Sequence, residues 1–205
     1  MPRPTPNLQY MDREIFYRNY WNYYLTLESK VLDASNYVYI HEDNFKSYSN
    51  EFASLQYSIG AELDSFFKVY CGYHNTDETN IADYANCILG GRYNDIVNQV
   101  IELRMYEVVL QPYKGWDANH ARQSLPWWLA YDNVKHSRYS NMKDANLKNV
   151  LNMIGGLFIL EMKYLKELAD VNMKIDCPDN SSNLFEMKNW TTRFHTSQEL
   201  FYVDD

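Results

Sequence analysis

The sequence predicts a mainly α-helical protein, a bundle of four to five helices with a small β-hairpin around residues 97–112. Apolar side chains recur at steps of three and four along several long segments, which is the spacing of one helix face. With seven Gly and six Pro in 205 residues, the chain lacks the turn residues of a β-sandwich or barrel. Its 46% hydrophobic content suffices for one core. We therefore expect a single domain over residues 1–205, ending in a loop and docking tail over residues 170–205.

The first predicted helix covers residues 11–34 and carries an aromatic stripe. The stripe consists of Tyr17, Tyr20, Tyr24, Leu27 and Val31. Aromatic faces can stack on nucleobases. Few basic residues are interleaved with them here, so packing in the core or at a dimer interface is the favoured interpretation. A short strand is predicted next, at residues 37–40.

The second predicted helix follows a polar turn and runs to about Tyr70, with Ser47 or Ser49 as its N-cap. Glu62 lies immediately beside the apolar stripe of this helix. Such a carboxylate is either a charge at the rim of the core or an inward-facing group. We favour the rim, because acidic side chains are rarely buried without a partner.

The middle of the chain combines a short helix with an extended segment. Asn80 is placed to cap a helix over residues 81–89 that ends at Gly90 and Gly91. Between residues 97 and 112, apolar and polar side chains alternate as they do in a strand. This alternation predicts the β-hairpin, although a helix through the same short segment also fits.

Two further helices are predicted in the second half of the chain. Ser124 and Pro126 mark the start of a helix over about residues 126–138, because proline is tolerated in the first turn. The last helix is predicted over about residues 141–169, and Glu161 falls on its apolar face.

Two adjacent glycines lie in the middle of this last predicted helix. In a helix interior each Gly costs about 1 kcal/mol relative to Ala. We therefore expect Gly155 and Gly156 to permit the close approach of a neighbour. That neighbour could come from the same chain or from a second copy.

Composition and charge argue against several classes of function. The formal net charge of −8 makes the chain a poor general binder of nucleic acids or membranes. No apolar run suits a signal peptide or a membrane span, so we expect a cytoplasmic protein without membrane contact. The three cysteines lack a CxxC spacing, and no HExxH, paired Glu-x-x-His, P-loop or GxGxxG motif is present. We expect no metal site and no cofactor.

One short segment, from Trp127 to Arg138, concentrates the polar residue types of a catalytic or phosphate-binding site. On a helix, Asp132 and His136 lie four residues apart on one face, where a carboxylate fixes the imidazole tautomer and favours its protonated form. Lys135 and Arg138 add positive charge that suits a phosphate. The alternative, which spacing alone favours, is that these basic side chains cap carbonyls at the helix end.

The run Tyr131-Asp132-Asn133-Val134-Lys135-His136-Ser137-Arg138, which opens onto the long last helix, resembles the HEPN superfamily. The resemblance covers the C-terminal half of the chain. It implies a HEPN-like helical domain, commonly a homodimer, from bacterial toxin–antitoxin or phage-defence systems. Active members are metal-independent RNases with an Arg, a polar residue directly after it, and a His four to six residues beyond the Arg.

Matched to this motif, His136 is the motif His and Asp132 is the polar residue, while Tyr131 stands at the position of the Arg. The family Arg is expected to hold the scissile phosphate or to stabilise charge in the transition state. Tyr cannot supply that positive charge. Arg138, or a residue of a partner subunit, could supply it instead.

Two functions follow as hypotheses. In the first, the protein binds RNA or a nucleotide and cleaves RNA without a metal. The residues assigned to this site are His136 and Asp132 for catalysis, Lys135 and Arg138 for the phosphate, and Tyr131 and Glu62 in support. In the second hypothesis, a non-catalytic helical module binds a protein partner or forms a homodimer. The net charge and Tyr131 favour the second, and the clustered polar residues favour the first.

Overall fold

The computed structural model describes residue 7 and residues 9–91, 94–172, 181–188, 190–195 and 198–203, with side chains described through residue 169 and for residues 181–188 and 190. Its helices are α1 (Arg13–Phe16), a π-helical turn (Tyr17–Trp21), α2 (Asn22–Ser35), α3 (Asn50–Cys71), α4 (Ile81–Gly90), α5 (Pro126–Asn141) and α6 (Leu147–Asn172). Its strands are β1 (Ile101–Leu103), β2 (Val109–Leu110), β3 (Phe185–Met187), β4 (Trp190–His195) and β5 (Gln198–Val203). The predicted fold class, mainly α-helical with a small hairpin, is confirmed.

The first helix is continuous but contains the π-helical turn, which changes the predicted stripe. Phe16 and Trp21 are buried, whereas Tyr17 and Tyr20 are only partly buried. Residues five apart lie about 140° apart on a regular α-helix. The wider π-helical turn brings Phe16 and Trp21 to the same buried side.

The strand predicted at residues 37–40 is wrong. These residues follow the end of α2 as a turn, in which the Tyr37 and Val38 amides donate to the Ala34 carbonyl at 3.1 and 3.2 Å. The local helix end captures these amides, so they are not free for a sheet.

Helices α3 and α6 pack along each other at the centre of the bundle, and α2 and α5 each pack against both. Ser49 caps α3, as predicted, by accepting from the Phe52 amide at 3.0 Å. The start of α6 differs from the prediction. Asn146 accepts from the Asn149 amide at 3.0 Å, and the Leu147 amide donates to the Ser47 carbonyl at 3.0 Å. The helix therefore begins six residues later than the sequence pattern indicates. No described helix is both long and apolar enough to cross a membrane.

Helix α4 packs against α3, and its start matches the prediction. The Asn80 side chain accepts from the Ala82 amide at 2.9 Å, and Asp83 accepts from the Asn80 amide at 3.0 Å. This capping box defines the beginning of the helix.

The predicted hairpin around residues 97–112 is confirmed as β1 and β2, and the tail adds a third strand. The sheet order is β2-β1-β3 with both pairings antiparallel, and Ile101 lies opposite Leu110 on one side and Met187 on the other. Trp190, which follows β3, is buried and donates from Nε1 to Gln99 at 3.0 Å. Strands β4 and β5 pair with each other. Part of the predicted loop, residues 173–180, lies outside the described residues.

A buried carboxylate on α2 holds the segment that leads into β3. Glu28 accepts from the Tyr24 hydroxyl at 2.6 Å, from the Asn183 amide at 2.8 Å and from the Leu184 amide at 3.2 Å. The Ser182 hydroxyl also donates to Glu28. Both carboxylate oxygens therefore have partners, and the first helix is tied to the tail of the chain. We call these residues the Glu28 cluster.

Gly155 and Gly156 admit neighbours from the same chain. A Cβ on Gly155 would meet the Ile101 side chain of β1, and a Cβ on Gly156 would lie 3.3 Å from both Trp127 and the Tyr113 hydroxyl. The Tyr113 hydroxyl also donates to the Gly156 carbonyl at 3.0 Å. The absence of side chains at the two glycines thus allows the small sheet and the start of α5 to pack closely against α6.

Gly60 allows α3 to approach α5 closely, which leads to a stability prediction. A Cβ at Gly60 would collide with the Tyr131 ring, whereas a Cβ at Gly90, at the end of α4, meets nothing within 4 Å. Gly60→Ala is therefore expected to lower the free energy of unfolding by about 1–2 kcal/mol through overpacking. The matched Gly90→Ala variant is expected to be neutral or slightly more stable. Urea unfolding of both variants measures the difference, and equal stabilities would contradict the close contact.

Candidate active site on helix α5

Helix α5 is held in place by its two tryptophans, which bury one face. Trp127 donates from Nε1 to the Pro112 carbonyl at 2.7 Å, and Trp128 packs edge-on against Tyr131 with ring centres 5.5 Å apart. The remaining face of the helix therefore points away from the core. Lys135 and His136 on that face are exposed.

The helix is kinked at Ser137, whose φ of −152° and ψ of 65° are not helical. Carbonyls near the kink accept hydrogen bonds from two uncharged side chains. Asn141 Nδ2 donates to the Asn133 and Ser137 carbonyls at 3.2 and 2.9 Å, and the Tyr57 hydroxyl donates to the Val134 carbonyl at 3.2 Å. The capping that the sequence assigned to basic side chains is thus carried out by Asn141 and Tyr57.

The predicted pair of Asp132 and His136 forms on the exposed face of α5. His136 Nε2 lies 3.1 Å from Asp132 Oδ1. Arg122, from the segment before α5, donates from Nε to the second oxygen of Asp132 at 2.6 Å. The side chain of His136 is 70% exposed and that of Asp132 is 25% exposed. Asp132 is therefore shielded between two basic groups, in what we call the Arg122–Asp132–His136 chain.

This arrangement orients His136 for proton transfer. In the neutral imidazole, a proton on Nε2 is donated to Asp132, which leaves the lone pair of Nδ1 free to accept a proton. Arg122 in turn fixes the Asp132 carboxylate from its other side. An exposed imidazole with a fixed tautomer is suited to act as a general base.

The hydrogen bonds continue from Arg122 towards the start of α6. Arg122 also lies 3.4 Å from the side-chain oxygen of Asn133, and Asn133 Nδ2 donates to Asp144 at 3.3 Å. Arg122, Asn133 and Asp144 were not predicted as site residues. Asn133 could have been found from the sequence, because it adjoins Asp132 in the same helix. Arg122 could not, because it lies ten residues before Asp132 and outside the helix, where helical spacing does not predict contacts.

Tyr131, at the motif position of the Arg, is a core residue. Its ring is buried against Trp128 and Gly60. The Lys135 ammonium lies 5.5 Å from the centre of the same ring, which is within the range of a cation–π contact. Tyr131 therefore holds Lys135 near His136 but cannot itself reach a ligand as an exposed Arg would.

The end of α5 carries a cationic surface, which we call the basic segment, residues 135–143. It contains Lys135, Arg138 and Lys143 and no carboxylate. Arg138 is exposed, and no contact joins it to His136 among the described residues. Tyr139 is 100% exposed. The segment thus combines positive charge with an open aromatic ring.

The structure does not bring Glu62 into this site. Gly60 faces Tyr131, and Glu62 lies two residues further, about 200° around the helix axis. Glu62 instead interacts electrostatically with Glu161 and Tyr20. Glu62 as a whole is partly exposed, but one of its oxygens is buried without a hydrogen-bond partner among the described residues, so it lies at the edge of the core with its carboxylate turned inward. Burial raises the pKa of Glu62 to about 7.

Comparisons with known proteins found no relative of this chain. No protein-family model matches the chain, and no curated protein and no solved structure is significantly similar to it. The described residues contain no group of three or more His, Cys, Asp or Glu side chains placed to hold a metal ion.

Proposed function

We propose that the protein binds single-stranded RNA at the end of α5 and cleaves it without a metal ion, as a HEPN-like ribonuclease. The observation that carries this proposal is the Arg122–Asp132–His136 chain beside the basic segment. As in the family it resembles, we propose that the protein is a cytoplasmic homodimer in a bacterial defence or toxin–antitoxin system.

Binding relies on local charge, because the whole chain is acidic. The cations of the basic segment neutralise phosphates and release counterions from the RNA. The exposed ring of Tyr139 offers a face on which an unpaired base stacks. Charge and stacking together favour a flexible single strand over a duplex, whose bases are already stacked.

Cleavage uses the ribose 2′-hydroxyl as the nucleophile. His136 Nδ1 accepts the proton of the hydroxyl as the bond from O2′ to phosphorus forms and the bond from phosphorus to O5′ breaks. The leaving 5′-oxygen takes a proton from water, so the products are a 2′,3′-cyclic phosphate and a 5′-hydroxyl. Asp132 stabilises the imidazolium that forms, and Lys135 stabilises charge on the phosphoryl oxygens.

The HEPN motif has an Arg at the position of Tyr131, and the structure brings a different arginine, Arg122, to the proposed site. Arg122 brings a guanidinium to Asp132 from the same chain, although Tyr131 occupies the motif position. Because Arg122 is paired with Asp132, the positive charge on the phosphoryl oxygens comes from Lys135 in this proposal.

Substitution of His136 tests the catalytic step. Single-stranded RNA with a fluorescent label is incubated with the protein in EDTA, and the products are analysed for the cyclic phosphate. His136→Ala is expected to lower the cleavage rate by about 10²–10⁴-fold while RNA binding persists. His41→Ala is the matched control, because His41 is also an exposed histidine that pairs with a carboxylate, that of Asp43 at 3.2 Å, and it lies outside the segment that carries Arg122 and α5.

A charge variant tests binding separately. Lys135→Ala, Arg138→Ala and Lys143→Ala combined are expected to weaken RNA binding and to make it less dependent on salt. Binding without cleavage would remove the catalytic step from the proposal. If neither binding nor cleavage occurs, the proposal is overturned in favour of a non-catalytic module that acts through dimerisation, which sedimentation analysis would then examine.

A further inference from the structure

A groove lies where the end of α2 meets the start of α3, in a part of the molecule that the proposed RNA site does not use. Its volume is about 360 Å³. The floor is apolar, since Ala34 and Phe52 are buried and Val38 is partly buried. Small-molecule sites in proteins measure about 300–1,000 Å³, so this groove matches a small ligand with one ring or a short chain. We call it the α2–α3 groove.

The wall of the groove is an open aromatic ring. Tyr37 lines the groove and is 90% exposed. A tyrosine ring attracts cations over its face, through the negative charge density of its π-electrons. An exposed ring beside an apolar floor therefore favours a ligand that is both apolar and positively charged.

The rim of the groove is acidic. Asp33 and Glu51 line it, against a single cation, Lys30. Among the described residues, no ion pair joins either carboxylate to a cation. The net charge of the rim is thus negative and complementary to a cation.

We propose that the α2–α3 groove binds an organic ammonium ion with an apolar body. Asp33 and Glu51 accept the hydrogen bonds of the ammonium group, and the Tyr37 ring covers one side of it. The apolar body lies on the floor formed by Ala34, Val38 and Phe52. This site is independent of the RNA site and stands whether or not the protein cleaves RNA.

Phenethylammonium is a suitable probe, with 2-phenylethanol as its neutral counterpart and 3-phenylpropanoate as its anionic counterpart. Titration of isotope-labelled protein is followed by NMR through the amides of residues 33–38 and 49–53. The ammonium compound is expected to give saturable shifts at these amides and to bind about tenfold or more tightly than the alcohol, because only it satisfies the carboxylates. The anion is expected to bind least.

Two variants and a control test whether Asp33 and Glu51 at the rim determine the affinity for the ammonium compound. Asp33→Asn and Glu51→Gln are each expected to weaken ammonium binding several-fold without changing the affinity for the alcohol. Asp43→Asn removes a carboxylate that is 89% exposed and does not line the groove, and it is expected to leave binding unchanged. Circular dichroism checks that the three variants remain folded.

Several results would overturn this proposal. Equal affinity for the ammonium compound and the alcohol would show that the groove selects by apolar contact alone. Shifts that do not saturate, or that fall outside the groove, would place the probe elsewhere. Failure of the ammonium compound to bind, with saturable binding of a basic peptide at the same amides, would assign the groove to a protein partner.

Discussion

Replacing Glu28 with alanine is expected to lower the free energy of unfolding by about 3–5 kcal/mol and to detach the segment before β3 from the bundle. The substitution leaves the Asn183 amide and the buried Leu184 amide without their acceptor, and the Tyr24 hydroxyl keeps only the Ser182 hydroxyl as a partner. Each buried donor without a partner costs about 1–3 kcal/mol. Water can recover part of this loss only if the segment separates from α2.

Urea unfolding and amide hydrogen exchange measure these two effects. Exchange of the amides of residues 183–185 is expected to accelerate more than exchange within α3. Ser182→Ala should cause a smaller loss, because only the Phe185 amide loses its acceptor while the Asn183 and Leu184 amides keep Glu28. Glu14→Ala, at an exposed position, should have little effect. If Glu28→Ala were as stable as Glu14→Ala, the Glu28 cluster would not hold the tail.

Replacing Glu161, in contrast to Glu28, is expected to stabilise the protein. Glu161→Met is expected to raise the free energy of unfolding by about 2–4 kcal/mol at pH 8. Glu161 is fully buried, and neither carboxylate oxygen has a hydrogen-bond partner among the described residues. Burial, and secondarily the charge of Glu62, holds the pKa of Glu161 well above its usual range. Methionine has a similar length and carries no charge to desolvate.

The same buried pair predicts how stability depends on pH. Because the pKa values of Glu62 and Glu161 are raised on folding, the native state retains protons that the unfolded chain has released. Stability therefore falls as pH rises from about 4.5 to about 7, the interval over which Glu62 titrates differently in the two states, and continues to fall at higher pH as long as native Glu161 keeps its proton. In Glu161→Met this decline should be smaller, and a pH dependence equal to that of the wild type would contradict the interpretation.

The parts of the fold that were predicted correctly depend on local sequence. The Ser49 cap, the capping box at Asn80 and the hairpin around residues 97–112 are each encoded within a few residues. The third strand of the sheet and the start of α6 were not predicted, because each depends on a backbone partner far away in the sequence. Distant partners leave no periodic signal.

In the candidate site, too, the contact within one helix was predicted and the contacts between distant segments were not. Asp132 and His136 were paired correctly because four residues along a helix bring two side chains together. Arg122 was missed because its approach to Asp132 depends on the path of the loop before α5. Glu62 was placed beside its stripe, but only the packing of α3 on α6 shows that it points towards Glu161.

The π-helical turn in the first helix leads to an expectation about the sequences of relatives of this protein. It fits five residue steps between Phe16 and Trp21 where a regular helix would fit four, and both side chains remain buried. A homologue with one residue fewer in this stretch would form an unbroken α-helix and keep both aromatic positions on the same face. Alignments of relatives are therefore expected to show a single-residue gap between two retained aromatic positions, at little cost to the core.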